Sequence, residues 1–265
     1  MKDFSQYKLG VIKSPEDKRD YVFSKIYKAV DIPKAYSCMD IMFPVRDQGS
    51  QGSCAAMSAA AMKEFQEIKD VGIRKYLSPQ FVYNLRENQD SEGMSNRNLM
   101  KILQDKGICF ESTFSYGNLK PPTQKALSEA LNYRINNYAR IYTLNELKQA
   151  LYIKGPCIVA VPVYNYTEKL WVERPGDIFL GGHDMCAVGY DDDEEVIWIR
   201  NSWGNEFGLA GYTKMAYSEF EKAWEWWSSV DLKTEYPPID PIEPEKLNIW
   251  QKFVAWLKKL FNTEG

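Results

Sequence analysis

The chain has 265 residues, 45% of them hydrophobic, with 33 Lys plus Arg against 36 Asp plus Glu and a formal net charge of -3. That length and composition support one large domain or two joined lobes with substantial cores, and exclude a chain disordered throughout. The weak negative charge offers no general attraction to DNA or RNA, and no basic run is long enough to form a local nucleic-acid patch.

Residues 1–34 read as a polar leader with Pro15, Asp17, Lys18, Arg19 and Asp20 near its middle. Such a segment is expected to run over the surface of the body. Met1 to Gly10 lacks the apolar core of a secretory signal, and no apolar run approaches the length of a transmembrane helix. The expected location is therefore cytoplasmic or inside a host cell.

From Cys54 to Lys69 the residues are strong helix formers, low in charge until Lys63, and predict a buried helix. Ser78 and Pro79 form an N-cap and first-turn pair opening a helix toward Leu85. Asn96 to Gln104 carries a third helical pattern, and 128–131 and 144–153 are shorter amphipathic stretches. The period changes after Gly155. Ile158 to Tyr164, Asp184 to Tyr190 and Glu195 to Asn201 are short runs rich in β-branched and aromatic residues, separated by turn residues. A helical first half and a β-rich second half predict an α+β protein of two lobes, Cys54 in the first and His183 in the second.

The body is expected over 35–231, closing near Val230 to Lys233. A Pro-rich linker follows over 232–245. Over 246–265, Trp250, Phe253, Val254, Leu257, Leu260 and Phe261 share one helical face, with Lys252, Lys258 and Lys259 opposite or at its border. Such a helix docks on its own body, on a protein partner or on a membrane surface.

His183 is the chain's single histidine. One imidazole cannot build a histidine metal cluster, so its most productive chemical use is as the base partner of a thiol. The five cysteines, Cys38, Cys54, Cys109, Cys157 and Cys186, include no C-x-x-C pair. An odd count leaves a free thiol, and the spacing fits neither a zinc site nor a disulfide framework. No metal or cofactor is expected. Cys38, Cys109, Cys157 and Cys186 read as small buried hydrophobes.

Cys54 differs, because it follows Ser53 at the start of a helix. Amide donors and the helix dipole there favour a thiolate and lower the thiol pKa. The alternative is a small residue packed on the Ala-rich helix. His183 follows Gly181-Gly182 into an apolar strand, where a structural histidine is an equal alternative. Asn201, at the end of the next strand, is placed to fix the ring tautomer. Its alternative is a plain turn, Asn201-Ser202-Trp203-Gly204, with a buried indole.

Taken together, three segments resemble those of the papain-like cysteine peptidases, in the family's order. Pro44-Val45-Arg46-Asp47-Gln48-Gly49-Ser50-Gln51-Gly52-Ser53-Cys54 resembles the nucleophile segment. Gly182-His183-Asp184-Met185-Cys186-Ala187-Val188-Gly189-Tyr190 resembles the histidine segment. Asn201-Ser202-Trp203-Gly204, with Phe207-Gly208 and Gly211-Tyr212, resembles the asparagine segment and its closing strand. Leu9 to Lys13 and Pro15 to Tyr21 are similar to the short leader of microbial, prokaryotic-type members, a branch that also extends to viruses. A leader of this kind is expected to cover part of the cleft.

The resemblance implies a two-lobed papain-like fold with the active site between the lobes. It makes Cys54 the nucleophile, His183 the general base and then acid, and Asn201 the ring orienter. Gln48 becomes an oxyanion donor beside the Cys54 N–H. Gly93, Gly182 and Trp203 fall on the substrate side, Trp203 also covering the Asn201 contact. Two positions depart from the pattern. Gln51 stands where the family has a cysteine, so the usual brace before the nucleophile cannot form, and Ala55 replaces a bulky aromatic. The implied function is endoproteolysis of a peptide or protein substrate through a thioester. An exopeptidase or transpeptidase, or an inactive binding module of the same fold, stands as the alternative.

Overall fold

A computed structural model describes residues 2–231. The expected linker and C-terminal helix lie outside the described residues. Three short elements come first: β1 (Val11–Ile12), α1 (Phe23–Ile26) and β2 (Ala35–Ser37). The long helix α2 (Cys54–Val71) follows, with its first fourteen residues, Cys54 to Glu67, buried. Its alanines, all between Ala55 and Ala61, allow close packing over the first two turns. It stops at Gly72, whose φ of 71° lets the chain turn left-handed and return its N–H to the Glu67 and Ile68 carbonyls.

Next come α3 (Pro79–Asn84), β3 (Met94–Ser95), α4 (Asn96–Asp105) and α5 (Gln124–Ala130). Ser78 caps α3 by accepting from the Phe81 N–H at 3.1 Å, with Pro79 in the first turn as predicted. The second half supplies β4 (Ile135–Ile141), α6 (Leu144–Lys154), β5 (Cys157–Val163), β6 (Gly181–Asp191), β7 (Val196–Arg200), β8 (Tyr212–Ala216) and β9 (Glu225–Asp231). Thr143 and Glu146 close a capping box on α6.

The large sheet has seven strands, ordered β4-β9-β5-β6-β7-β8, with β2 also paired to β6; every pairing is antiparallel. β6 is its hub. Residues 181–187 pair with β5, 186–191 with β7 across a register shift between Ala187 and Gly189, and 189–191 with β2. The architecture is α+β and two-lobed, helices first and sheet second.

The loop before α2 is tied to both lobes. Arg46 donates to Glu64 on α2 at 2.8 Å and to the Leu77 carbonyl at 3.0 Å. From the sheet, Arg200 donates to the Phe43 and Pro44 carbonyls, each at 2.8 Å. These charge-assisted bonds hold the segment leading to Cys54, where no disulfide stands. All five cysteines are free and buried.

Between β1 and β3 the leader makes a separate two-stranded parallel pair, Val11 beside Met94 and Ile12 beside Ser95. The leader therefore does not stay on the outer surface. It threads between the segment before α2 and the start of β6, with Tyr7, Gly10, Val11 and Ser14 buried.

Candidate active site

His183 and Asn201 meet at the ends of neighbouring strands. The ring nitrogen Nε2 lies 2.7 Å from Asn201 Oδ1, an oxygen that also accepts from the Ser202 N–H at 2.7 Å. Because Oδ1 is an acceptor, Nε2 carries the proton and Nδ1 keeps its lone pair. Nδ1 has no partner among the described residues. The Trp203 ring lies 4.6 Å from the imidazole, centroid to centroid, and is fully buried, so it screens the pair from solvent. This tautomer leaves a base ready to take one proton.

Cys54 opens α2, and Ser53 at the cap position makes no side-chain capping bond. Its hydroxyl is instead bonded to the Tyr116 hydroxyl at 2.6 Å. The thiol packs with Ala160, Val11 and Trp224. Backbone N–H groups of Asp184, Gly10 and Ala55 interact with it in the sense that favours a thiolate. Asp184 directly follows His183, so β6 presents base and thiol contact on consecutive residues.

Gln48 is fixed at both ends of its side chain. Oε1 accepts from the Ser202 hydroxyl at 2.7 Å, and Nε2 donates to the carbonyls of Lys8 and Gln51, each at 3.0 Å. The residues named from the sequence thus form one chain of contact, Gln48 to Ser202 to Asn201 to His183.

The leader lies directly on them. Phe4 stacks on Trp203 at 5.8 Å, and the Tyr7 hydroxyl donates to Asp47 at 2.6 Å. The Lys8 carbonyl takes the Gln48 amide, and the Met94 N–H donates to the Gly10 carbonyl at 2.8 Å. A Cβ at Gly10 would stand 2.1 Å from the Gly52 carbonyl oxygen, and one at Gly93 would stand 2.1 Å from that of Gly10. Both positions therefore need glycine for backbone to lie against backbone. Gly182 is close against Val11 and Trp224. The three residues expected on the substrate side are thus all in contact with, or beside, the leader.

This cover reverses one expectation. The helix start was expected to lower the Cys54 pKa; burial instead pushes it up to about 12, with the nearby Asp184 charge acting in the same direction. Burial likewise lowers His183 to about 4, against the opposing Asn201 bond. Desolvation disfavours both charged forms and outweighs the dipole and the amides. With the leader in place the neutral thiol and neutral imidazole are favoured. The sequence placed Gly10 and Val11 in a leader expected to cover part of the cleft, but not the Lys8 carbonyl on Gln48, Gly10 between Gly52 and Gly93, or Val11 against Cys54. The lone glycine between Leu9 and Val11 was the one local sign of the close backbone approach.

Among the described residues no cluster of His, Cys, Asp and Glu has metal-binding form, and no helix is long and apolar enough to cross a membrane. The family model described as papain family cysteine protease matches residues 26–229. An uncharacterized peptidase C1-like protein of Acanthamoeba polyphaga mimivirus is 28% identical, with 90% of this chain and 91% of that protein covered. A cathepsin L-like peptidase of Aedes aegypti is 31% identical over 65% of this chain, which spans 55% of that relative's length. The crystal structure of xylellain, a cysteine protease from Xylella fastidiosa, is 27% identical and superposes with a TM-score of 0.77, covering 88% of this chain and 99% of that one. A thiol at a helix start, an asparagine-bound histidine from the facing sheet and a family match across both lobes have one reading: the chain belongs to the papain family of cysteine proteases.

Proposed function

We propose that the protein is a cysteine endopeptidase held latent by its own leader, with Cys54 as nucleophile, His183 as general base and acid, Asn201 as ring orienter and Gln48 as oxyanion donor. In the uncovered site His183 Nδ1 takes the thiol proton and the sulfur attacks the scissile carbonyl. The Gln48 amide and the Cys54 N–H hold the oxyanion. The imidazolium returns its proton to the leaving amine; water, activated by the same ring, then hydrolyses the thioester. Gly93 and Gly182 let an extended peptide approach closely, and Trp203 walls the side beyond His183.

The observation that carries this reading is the 2.7 Å bond between His183 Nε2 and Asn201, because it leaves Nδ1 basic on the strand whose next residue touches the thiol. Latency rests on the leader carbonyl that occupies the Gln48 amide. A short-leader, microbial or viral-type branch is supported by the mimivirus protein and xylellain, whose matches cover about nine-tenths of this chain, against about two-thirds for the cathepsin-like relative. Five free thiols support a reducing interior as the site of action.

The test uses full-length protein. Gly10→Phe cannot keep the leader seated, and should raise labelling of Cys54 by a thiol-directed epoxide about a hundredfold, the gain expected if the uncovered form is otherwise near 1%. Peptides blocked at both ends should then be cleaved internally, and adding Cys54→Ala should remove labelling and cleavage. Robust cleavage by a verified Cys54→Ala preparation would overturn the assignment of the nucleophile. Turnover restricted to free-ended peptides would make the enzyme an exopeptidase.

A further inference from the structure

Three strands of the sheet present one residue each in a row beside Cys54. Asp184 on β6 lies opposite Ala160 on β5, and Ala160 lies opposite Glu225 on β9. Residues directly opposite in antiparallel strands project from the same face. Two carboxyl groups therefore flank a single methyl, and the small central side chain leaves between them the space that the leader's Val11 packs into, a hollow once the leader lifts. Ala160 packs with Cys54, Val11 and Trp224, which puts the row on the cleft side and the leader's Val11 against its floor. Asp184, Ala160 and Glu225 are all buried.

The polar groups of this hollow are short of donors. Asp184 Oδ1 accepts from Asn96 Nδ2 at 3.2 Å, while Asp184 Oδ2 and Asn96 Oδ1, both buried, have no hydrogen-bond partner among the described residues. Glu225 is bound on one oxygen by Arg140 and on the other by the leader, the Ser14 hydroxyl at 3.0 Å and its N–H at 3.3 Å. Arg97, the other cation nearby, is paired with Asp20. Lifting the leader removes both Ser14 donors. The hollow then holds buried acceptor atoms on Asp184, Asn96 and Glu225, with only the Met185 N–H beside Asp184 and Arg140 on the far oxygen of Glu225 to serve them.

We propose that this hollow is a substrate pocket selecting a basic side chain, lysine or arginine, through Asp184, Asn96 and Glu225. The inference rests on the protease reading, with Cys54 as nucleophile. An ammonium brings three donors and a guanidinium five, so either satisfies what the open hollow lacks. Burial in the covered state holds the Asp184 carboxyl well above the usual carboxylate range, and an entering cation acts to bring it down and ionise it. An apolar side chain fills the space as Val11 does, but leaves buried acceptors unpaired. The aspartate inside the apolar run His183-Asp184-Met185-Cys186-Ala187-Val188 is the trace of this pocket in the sequence.

The test uses the full-length Gly10→Phe protein and a positional-scanning library of fluorogenic peptides varied on the acyl side of the scissile bond. At one position lysine and arginine should exceed leucine and valine in kcat/KM by about tenfold or more, the scale of a hydrogen bond to a charged group. Asp184→Asn, which places donors where a cation needs acceptors, should bring that ratio toward one, and Glu225→Gln should lower it less because Arg140 already shares that carboxylate. A general loss of folding lowers every substrate together and leaves the ratio, so the ratio is the readout. Leucine or valine preferred at every position, or a basic preference unchanged in Asp184→Asn, overturns the pocket assignment while labelling of Cys54 by the epoxide keeps the protease reading. A chain that neither labels nor cleaves brings down both.

Discussion

The catalytic scaffold and the leader that covers it are held by different forces. Cys54 stands on a helix buried along its first fourteen residues, and His183, Asn201 and Gln48 are joined by bonds of 2.7 Å between buried groups. The leader is held by a two-residue strand, backbone bonds, the rings of Phe4 and Tyr7 on Trp203 and the partly exposed pairs of Lys2 with Asp47 and Lys8 with Glu92, besides the buried contacts of Val11, of Ser14 with Glu225 and of Asp20 with Arg97. Exposed pairs contribute little and are weakened by salt, whereas buried charge-assisted bonds are not easily replaced by water. Part of the leader's hold is therefore open to salt and solvent, and the hold on the site is not.

The largest effect is expected from the scaffold. In the leader-displaced Gly10→Phe background, Gln48→Ala removes an oxyanion donor and should lower kcat by about 10²–10³. A loss of less than about threefold, on the same scale, would take Gln48 out of the machinery.

The next effect is read against pH. With the leader seated, the thiol pushed up to about 12 is almost wholly protonated near neutrality. Labelling that takes place with the leader seated should therefore climb about tenfold per pH unit from 7 to 9, because the thiolate fraction rises tenfold per unit below the pKa. In Gly10→Phe the rate should be nearly flat over that range. Parallel profiles in the two proteins would show that the thiol reacts only through the uncovered form, so that the leader acts by exclusion and its effect on ionisation does not reach the rate.

Smallest is the leader's own anchor. Phe4→Ala loses the stack on Trp203 and should raise labelling by less than about tenfold, given the modest worth of an aromatic pair. Raised salt should act in the same direction by releasing Lys2 and Lys8. Insensitivity to both would place the hold in the backbone contacts of residues 8–12 alone.

The scaffold was far more legible in the sequence than the cover. Alanine-rich composition after Cys54, the Ser78-Pro79 pair and the β-branched runs after Gly155 mark elements whose local chemistry agrees with the final fold. His183 was conspicuous as the single imidazole, and its partner Asn201 came through the motif. The leader's path was hidden because it depends on backbone meeting backbone. Gly10 between Gly52 and Gly93 has no period or side-chain pattern to reveal it. The sign of the Cys54 pKa shift was missed for the same reason, since a dipole can be read from a helix start but desolvation by a distant segment cannot. Asp184 was quoted within its motif, yet its place opposite Ala160 and next but one to Glu225 exists only once β6, β5 and β9 are in register.

The burial of Cys54 also has a chemical consequence beyond catalysis. Oxidants attack the thiolate, and they do so where solvent reaches it. A sulfur that is protonated, fully buried and sealed by Val11 offers peroxide neither condition. In the proposed latent form, the segment that withholds the enzyme from its substrates would thereby also preserve it, keeping the Cys54 sulfur at its lowest oxidation state until the leader lifts.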